Sequence, residues 1–280
     1  MIEEVFLNDP ASRYWQTPSS PAKAERGGEK LAKPLAKNLP WLEEILAQQA
    51  GFPQLSLLLG ISDDGLPIVL DLENPESGSF LIASDSGFDN TRLLQNLVMA
   101  ALKGNHPYDL LVHLITPHAD SLDYFLRAPN CRIGYQPVDP EVPIVLEEMV
   151  KMVISRQHDH NLGNSHLLAI DGLDVLWQSV DPQSKLRLDW LIRNGPAAGF
   201  RMIATLDTTY LPQTSNRTID LFPSRIIGPI RRENDARFLS GFNSRFLSRL
   251  SAGEEYLLIT GEQVHNFQVI QSEDLIDAEI

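Results

Sequence analysis

At 280 residues with 43% hydrophobic content and a formal net charge of −14, the chain is long enough to bury an α/β core of roughly 200 residues. A single cysteine, Cys131, excludes an internal disulfide and a cysteine metal cluster. No apolar run approaches the ~20 residues of a membrane helix, and MIEEVFLNDP lacks the basic start of a secretory signal, so a cytoplasmic protein without a membrane span is expected.

Residues 1–40 carry Pro10, Pro18, Pro21, Pro34 and Pro40 and few large apolar side chains, as in an extended or disordered arm. Lys23, Arg26, Lys30, Lys33 and Lys37 make its second half basic. With no aromatics between them, they fit a solvated linker better than a nucleic-acid arm. A body over 41–272 follows. Trp41, Leu42, Ile45 and Leu46 predict a short amphipathic helix over 41–49. Strands at 55–61 and 68–72 flank Ser62-Asp63-Asp64-Gly65, where Asp-Gly signals a hairpin. A β-prone run at 79–83, a polar turn at 84–90 and a helix at 91–102, with Leu93, Leu94, Leu97, Val98 and Ala101 on one face, give strand, turn, helix.

Further on, 109–115 is a nearly continuous apolar run suited to a buried parallel strand. Residues 118–126 predict a short helix, 129–143 an irregular stretch, and 143–157 a helix on Val145, Leu146, Met149, Val150 and Val153. An apolar strand at 166–171 ends in Asp171. A helix over 183–194 is expected to turn Leu186, Trp190 and Leu191 inward. A strand at 200–206, a polar loop at 207–217, a strand at 224–227, a helix at 233–239 and a strand pair at 256–260 and 264–270 complete the body, before an acidic tail at 273–280. Strands alternating with helices, together with the strand-end loops at 84–91 and 171–172, indicate a three-layer RecA-like α/β fold with a mainly parallel sheet and added hairpins.

The turn after the first buried strand occupies the place of a phosphate-binding loop, G-x-x-x-x-G-K-[ST], whose glycines let backbone N–H groups wrap phosphates that a lysine neutralises. Its eight positions here are Ser84, Asp85, Ser86, Gly87, Phe88, Asp89, Asn90 and Thr91. Only Thr91 fits. Asp85 and Asp89 would set carboxylates against a triphosphate, and like charges a few Å apart repel by roughly 4 kcal/mol at an intermediate dielectric. Taken alone, the stretch also reads as an ordinary strand-to-helix turn with an Asp cap.

The order of segments over about 55–271 resembles the FtsK/SpoIIIE family of motor ATPases, which includes DNA translocases and type VII secretion ATPases. LLLGISDDGLPIVLDLENPESGSFLIAS is similar to the family's lead-in hairpin and phosphate-loop strand, and LLVHLITPHADSLDYF to a strand ending in Asp-Pro-Lys, here Thr116-Pro117-His118. LLAIDGLDVLW resembles the Walker B segment: Asp171 matches the metal-site Asp, and Gly172 replaces the following Glu. In AAGFRMIATLDTTYLP, Asp207 stands where a sensor Gln is expected. LFPSRIIGPI keeps a Pro-x-Arg as Pro223-Ser224-Arg225, and GEEYLLITG is similar to the final hairpin.

The resemblance implies a phosphoryl-transfer site, and the departures imply its loss. That chemistry rests on positioning and charge stabilisation, so losing the lysine and the water-orienting Glu should each cost orders of magnitude in rate. No catalytic residue, bound nucleotide or metal is expected. Two classes of function remain: a non-enzymatic interaction or regulatory module beside active motor ATPases or protein ligands, and a nucleotide-dependent DNA or protein translocase with an atypical loop, using ATP and magnesium. The second needs a basic channel, for which Arg225, Arg231, Arg232 and Arg237 are the candidates. Arg225 or Arg231 is then a candidate finger toward a neighbour's nucleotide, against the plainer role of interface charge. The net charge disfavours DNA, whose affinity comes from neutralised phosphates.

His158 and His160, with His166 nearby in sequence, invite a metal reading, but the first two lie two residues apart, off a single helical face, and read as a solvated helix end. Asp171, Asp174 and Asp181 have no candidate nucleophile beside them, and Cys131 has no identifiable His partner.

Overall fold

The computed structural model describes residues 39–48, 52–118, 124–159, 163–213 and 216–277. Nearly all of the expected N-terminal arm and most of the helix expected at 118–126 lie outside these residues.

Strands β1 (Ser56–Ser62) and β2 (Pro67–Asp71) form the hairpin that Asp64-Gly65 predicts. With β3 (Phe80–Ser84), β4 (Leu110–Ile115), β5 (Cys131–Tyr135), β6 (Ser165–Ile170), β7 (Phe200–Asp207), β8 (Ser224–Ile227), β9 (Glu255–Thr260) and β10 (Gln263–Gln268), they make one ten-stranded sheet. Its order is β2-β1-β10-β9-β8-β3-β7-β6-β4-β5. From β8 to β5 neighbouring strands are parallel. From β8 back to β2 they are antiparallel. Parallel strands are covered on both faces, and β3 is buried along its whole length, which is why its sequence is an unbroken apolar run.

The helices are α1 (Leu42–Leu46), α2 (Gly87–Gly104), α3 (Val142–Asp159), α4 (Leu173–Ser179), α5 (Pro182–Asn194), α6 (Asn216–Ile219), α7 (Glu233–Ser240), α8 (Ser244–Leu247) and α9 (Glu273–Asp277). Leu93, Leu94, Leu97, Val98 and Ala101 of α2 pack into one core with Leu167 and Ala169 of β6. Strand alternation sends Leu168 and Ile170 to the other face, where α3 and α5 pack together. At the C-terminal end, Ser272 is fully buried and its N–H donates to Asn96 Oδ1 of α2 at 3.2 Å.

Several elements differ from expectation, among them α6, which begins within the expected 207–217 loop, and α9 within the expected acidic tail. The stretch 129–143 contains β5, an edge strand that Arg132 and Gly134 dilute below an apolar signal; α4 and α8 are too short to carry a helical period of their own. In α5, Asp181 caps the helix through the N–H groups of Gln183 and Ser184, and the phase this sets turns Ser184, Leu188, Leu191 and Ile192 inward. Leu186 is 49% exposed.

Candidate functional site

The C-terminal ends of β3, β6 and β7 converge on the N-terminus of α2, the edge where open α/β sheets bind ligands. The loop there is much shorter than expected. Ser84 closes β3, α2 starts at Gly87, and only Asp85 and Ser86 lie between them. Gly87 to Thr91 are helical, so no backbone loop remains to wrap a phosphate. Ser86 caps the helix by accepting the Asp89 N–H at 3.2 Å.

Asn90, at the lysine position, is fully buried. Its amide donates to the Leu206 carbonyl at 3.0 Å, and its Oδ1 accepts the Ser84 hydroxyl at 2.8 Å. The side chain therefore ties α2 to β3 and β7 instead of reaching toward a ligand. Asp85 is held as firmly: the Arg231 N–H donates to its Oδ2 at 2.7 Å, and the Thr208 hydroxyl donates to its Oδ1. Those donors are of the kind a phosphate would use, and a carboxylate of the chain occupies them.

Asp207, paired in register with Ser84 across β3 and β7, accepts the Thr209 N–H and hydroxyl at 2.8 and 2.6 Å. Its other oxygen lies against Gly87, where a β-carbon would come within 3.1 Å of it. A carboxylate thus rests on the first turn of α2, where the helix dipole favours an anion. Asp89 packs toward Gly253, and its carbonyl accepts the Tyr256 hydroxyl at 3.2 Å.

Asp171, just past β6 and 4% exposed, accepts three hydroxyls. Thr91 of α2 donates at 2.7 Å and Thr205 of β7 at 3.2 Å to Oδ1, and Thr116 donates at 2.9 Å to Oδ2. The His118 Nε2 lies 3.8 Å from Oδ2. A magnesium ion would have to displace these donors. Gly172 has φ +81°, a left-handed conformation that a Glu would adopt only with strain, and its N–H donates to Thr205 Oγ1 at 2.7 Å. The glycine in place of the water-orienting Glu is therefore built into the turn that opens α4.

Asp174 adds a further buried carboxyl, pushed above the ordinary range by burial and then by repulsion from Asp207 and Asp171. Beside Asp171 a cavity of about 10 Å³, lined by Thr91, Leu94, Leu114 and Phe125 among others, has room for about one water. The residues present do not fit a magnesium nucleotide. The phosphate cradle is absent, its donors are taken by Asp85, and carboxylates crowd the helix N-terminus.

The two finger candidates have separate fates. Arg225, 17% exposed at its side chain, donates to the Phe238 and Leu239 carbonyls at 3.1 and 2.9 Å, closing the C-terminal end of α7. Arg231 gives its backbone N–H to Asp85 and leaves its side chain exposed. Sequence reasoning does not find Thr205 and Thr208, and it marks Thr116 only as the residue in place of the Asp of Asp-Pro-Lys. Their signal is position: Thr116 and Thr208 lie just beyond β4 and β7, and Thr205 lies within β7 near its C-terminal end.

Away from this edge, His158 is exposed and His160 lies outside the described residues. His166 lies in β6, as the apolar run from 166 predicts. Its Nδ1 lies 2.9 Å from His113 Nε2, with the rings stacked at 5.1 Å. Burial, then Arg132, holds His113 down to about 4; burial, then His113 and the two arginines Arg156 and Arg132, holds His166 down to about 3. Cys131 is buried and its thiol is pushed up to about 11, so it is not a reactive thiolate. Among the described residues no three His, Cys, Asp or Glu side chains are grouped as metal ligands, and no helix is long and apolar enough to cross a membrane.

No protein-family model matches the chain. A 55-residue stretch is 47% identical to a glutamyl-tRNA(Gln) amidotransferase chain of Nostoc punctiforme, but it spans 20% of this chain and 11% of that one. The fold has broader counterparts. Thermomonospora curvata EccC (ATPases 2 and 3), in complex with a signal sequence peptide, superposes with a TM-score of 0.62 at 12% identity over 81% of this chain and 43% of that one. Geobacillus thermodenitrificans EssC (ATPases 2 and 3) gives 0.65 at 13% identity over 81% and 47%. The pCW3 conjugation coupling protein TcpA with ATPγS gives 0.65 at 14% over 87% and 72%. The chain spans less than half of the EccC and EssC structures it matches.

The protein has the RecA-like P-loop NTPase fold of these ATPase domains. At 12–14% identity the likeness to EccC, EssC and TcpA is one of fold.

Proposed function

We propose that the chain is a degenerate FtsK-type domain that neither hydrolyses ATP nor binds it with magnesium, and that works as an interaction or regulatory module beside active motor ATPases or protein ligands. The observation that carries this reading is the filled phosphate site: Asn90 is buried as a tie between β3 and β7, and Asp85 takes the Arg231 N–H. Phosphoryl transfer needs a cradle, a cation and a positioned water. Asn90, Asp85 and Gly172 stand in the way of each. The signal sequence peptide on EccC supports a protein ligand, and the multi-ATPase chains of EccC and EssC support a neighbouring motor as partner. A cytoplasmic location follows from this reading.

A second reading, a nucleotide-dependent DNA or protein translocase, is favoured by one observation: Thr91 and Asp171 still meet at 2.7 Å, as a magnesium-holding pair would. Phosphate release from ATP and magnesium, measured with and without duplex DNA, separates the two. The module reading expects no release above that of an Asp171→Ala control in either condition. DNA-stimulated release that the control lacks would establish the translocase.

A further inference from the structure

The segment from Arg231 to Arg249 stands apart from the rest of the chain in charge. It holds five of the 23 lysines and arginines, Arg231, Arg232, Arg237, Arg245 and Arg249, against two carboxylates, Glu233 and Asp235, in a chain of net charge −14. It folds as the helical hairpin α7–α8, and all five arginines are exposed. Both carboxylates face an arginine of the same hairpin. Glu233 pairs with Arg237 and also accepts the Ser244 N–H and hydroxyl, each at 2.8 Å, fastening α8 to α7; Asp235 lies 3.9 Å from Arg232. Among the described residues Arg231, Arg245 and Arg249 have no carboxylate partner. Phe242 and Phe246 lie among them, part-buried and stacked at 5.0 Å.

The hairpin is a stiff platform. Arg225 closes the C-terminal carbonyls of α7, Asn243 caps α8 through the Phe246 N–H, and the root at Arg231 is pinned to Asp85. Unpaired guanidiniums beside part-exposed aromatic edges suit carboxylates flanked by apolar or aromatic groups, since arginine pairs with carboxylates through two parallel N–H bonds and aromatics supply area at low entropic cost. We infer that the α7–α8 hairpin is a docking surface for an acidic polypeptide segment carrying aromatic or apolar residues. Two features disfavour a nucleic acid. A long polyanion would run from this small basic patch onto an acidic body. Phe242 and Phe246 also stack on each other, which leaves less ring face open to base stacking.

The inference rests on the proposal that the domain works by binding protein, and its test uses no nucleotide, so either can fail alone. The full chain is titrated against a fluorescein-labelled peptide of four Glu-Glu-Tyr repeats, and separately against labelled dT20, at fixed salt. Peptide binding is expected, falling by about tenfold or more in Arg245→Glu/Arg249→Glu, because rim charges act through steering and pairing. Arg245→Gln/Arg249→Gln, which keeps side-chain size, should give an intermediate loss. Far-UV circular dichroism checks that each variant folds. No saturable peptide binding, equal binding by the reversed variant, or tighter binding of dT20 than of the peptide would each overturn the inference.

Discussion

The collapsed loop at Asp85 and the hairpin rooted at Arg231 share a hydrogen bond, yet they treat charge in opposite ways. At the loop the chain supplies its own partners: Asp85 and Asp171 accept N–H and hydroxyl donors, and buried Asn90 accepts the Ser84 hydroxyl and donates to the Leu206 carbonyl. At the hairpin, charges of the other sign face solvent, and three of the five arginines have no acid among the described residues. On the proposed reading, the edge where this fold ordinarily takes a phosphate serves structure, and the proposed docking surface lies one hydrogen bond away. The expected consequence is that substitutions at the loop cost stability, whereas substitutions on the hairpin cost binding.

The largest effect should come from Asp171. Asp171→Ala leaves three inward-facing hydroxyls without their acceptor, and about 4 kcal/mol of stability should be lost in urea titration. A loss below about 1 kcal/mol would mean that the hydroxyls find water and that the site is more open than its contacts indicate.

Acid tests a third region against both. The His113 and His166 values of about 4 and about 3 lie below the ordinary histidine value of 6.5. The unfolded chain therefore takes up protons first as pH falls, and stability is full above about 6.5 and declines toward about 4. One imidazole held near 4 instead of 6.5 corresponds to about 3 kcal/mol, so the pair together should lose more than that along this limb. His166→Gln should flatten that limb of the stability profile, and an unchanged limb would assign acid sensitivity to other groups.

Asn90→Ala removes two buried hydrogen bonds and should cost about 2 kcal/mol. Arg225→Met, which strips the closing donors from α7, should cost about 1 kcal/mol and weaken peptide binding with it. The smallest effect belongs to the exposed pair on the hairpin. Arg237→Ala should change stability by less than about 0.5 kcal/mol, because surface ion pairs contribute little. A large loss there would undo the division between a structural loop and a binding hairpin.

Much of the architecture is legible in the sequence because its signals are local. The apolar runs of β3, β4, β6 and β7 and the spacing of Leu93, Leu94, Leu97, Val98 and Ala101 each follow from strand or helix period. β5 is not legible, since an edge strand with Arg132 and Gly134 does not need an apolar run. At the site, the eight positions from Ser84 to Thr91 and the acid at Asp171 are found by order along the chain. What order does not show is that Asn90 turns inward, that α2 begins at Gly87, or that Thr116 and Thr205 close on Asp171. Those facts depend on side chains meeting across strands far apart in sequence. The opposition between Asp85, Asp89 and a triphosphate is visible as charge, but the N–H group that holds Asp85 comes from Arg231, which the sequence marks only as a candidate finger.

Calorimetric titration of ATP with magnesium into the native chain tests the filled site most directly. A filled site predicts no saturable heat up to millimolar nucleotide, the range where binding free energy falls to about 4 kcal/mol. Binding with a micromolar dissociation constant would contradict it, because Asp85 and Asn90 would then have to leave the partners that hold them.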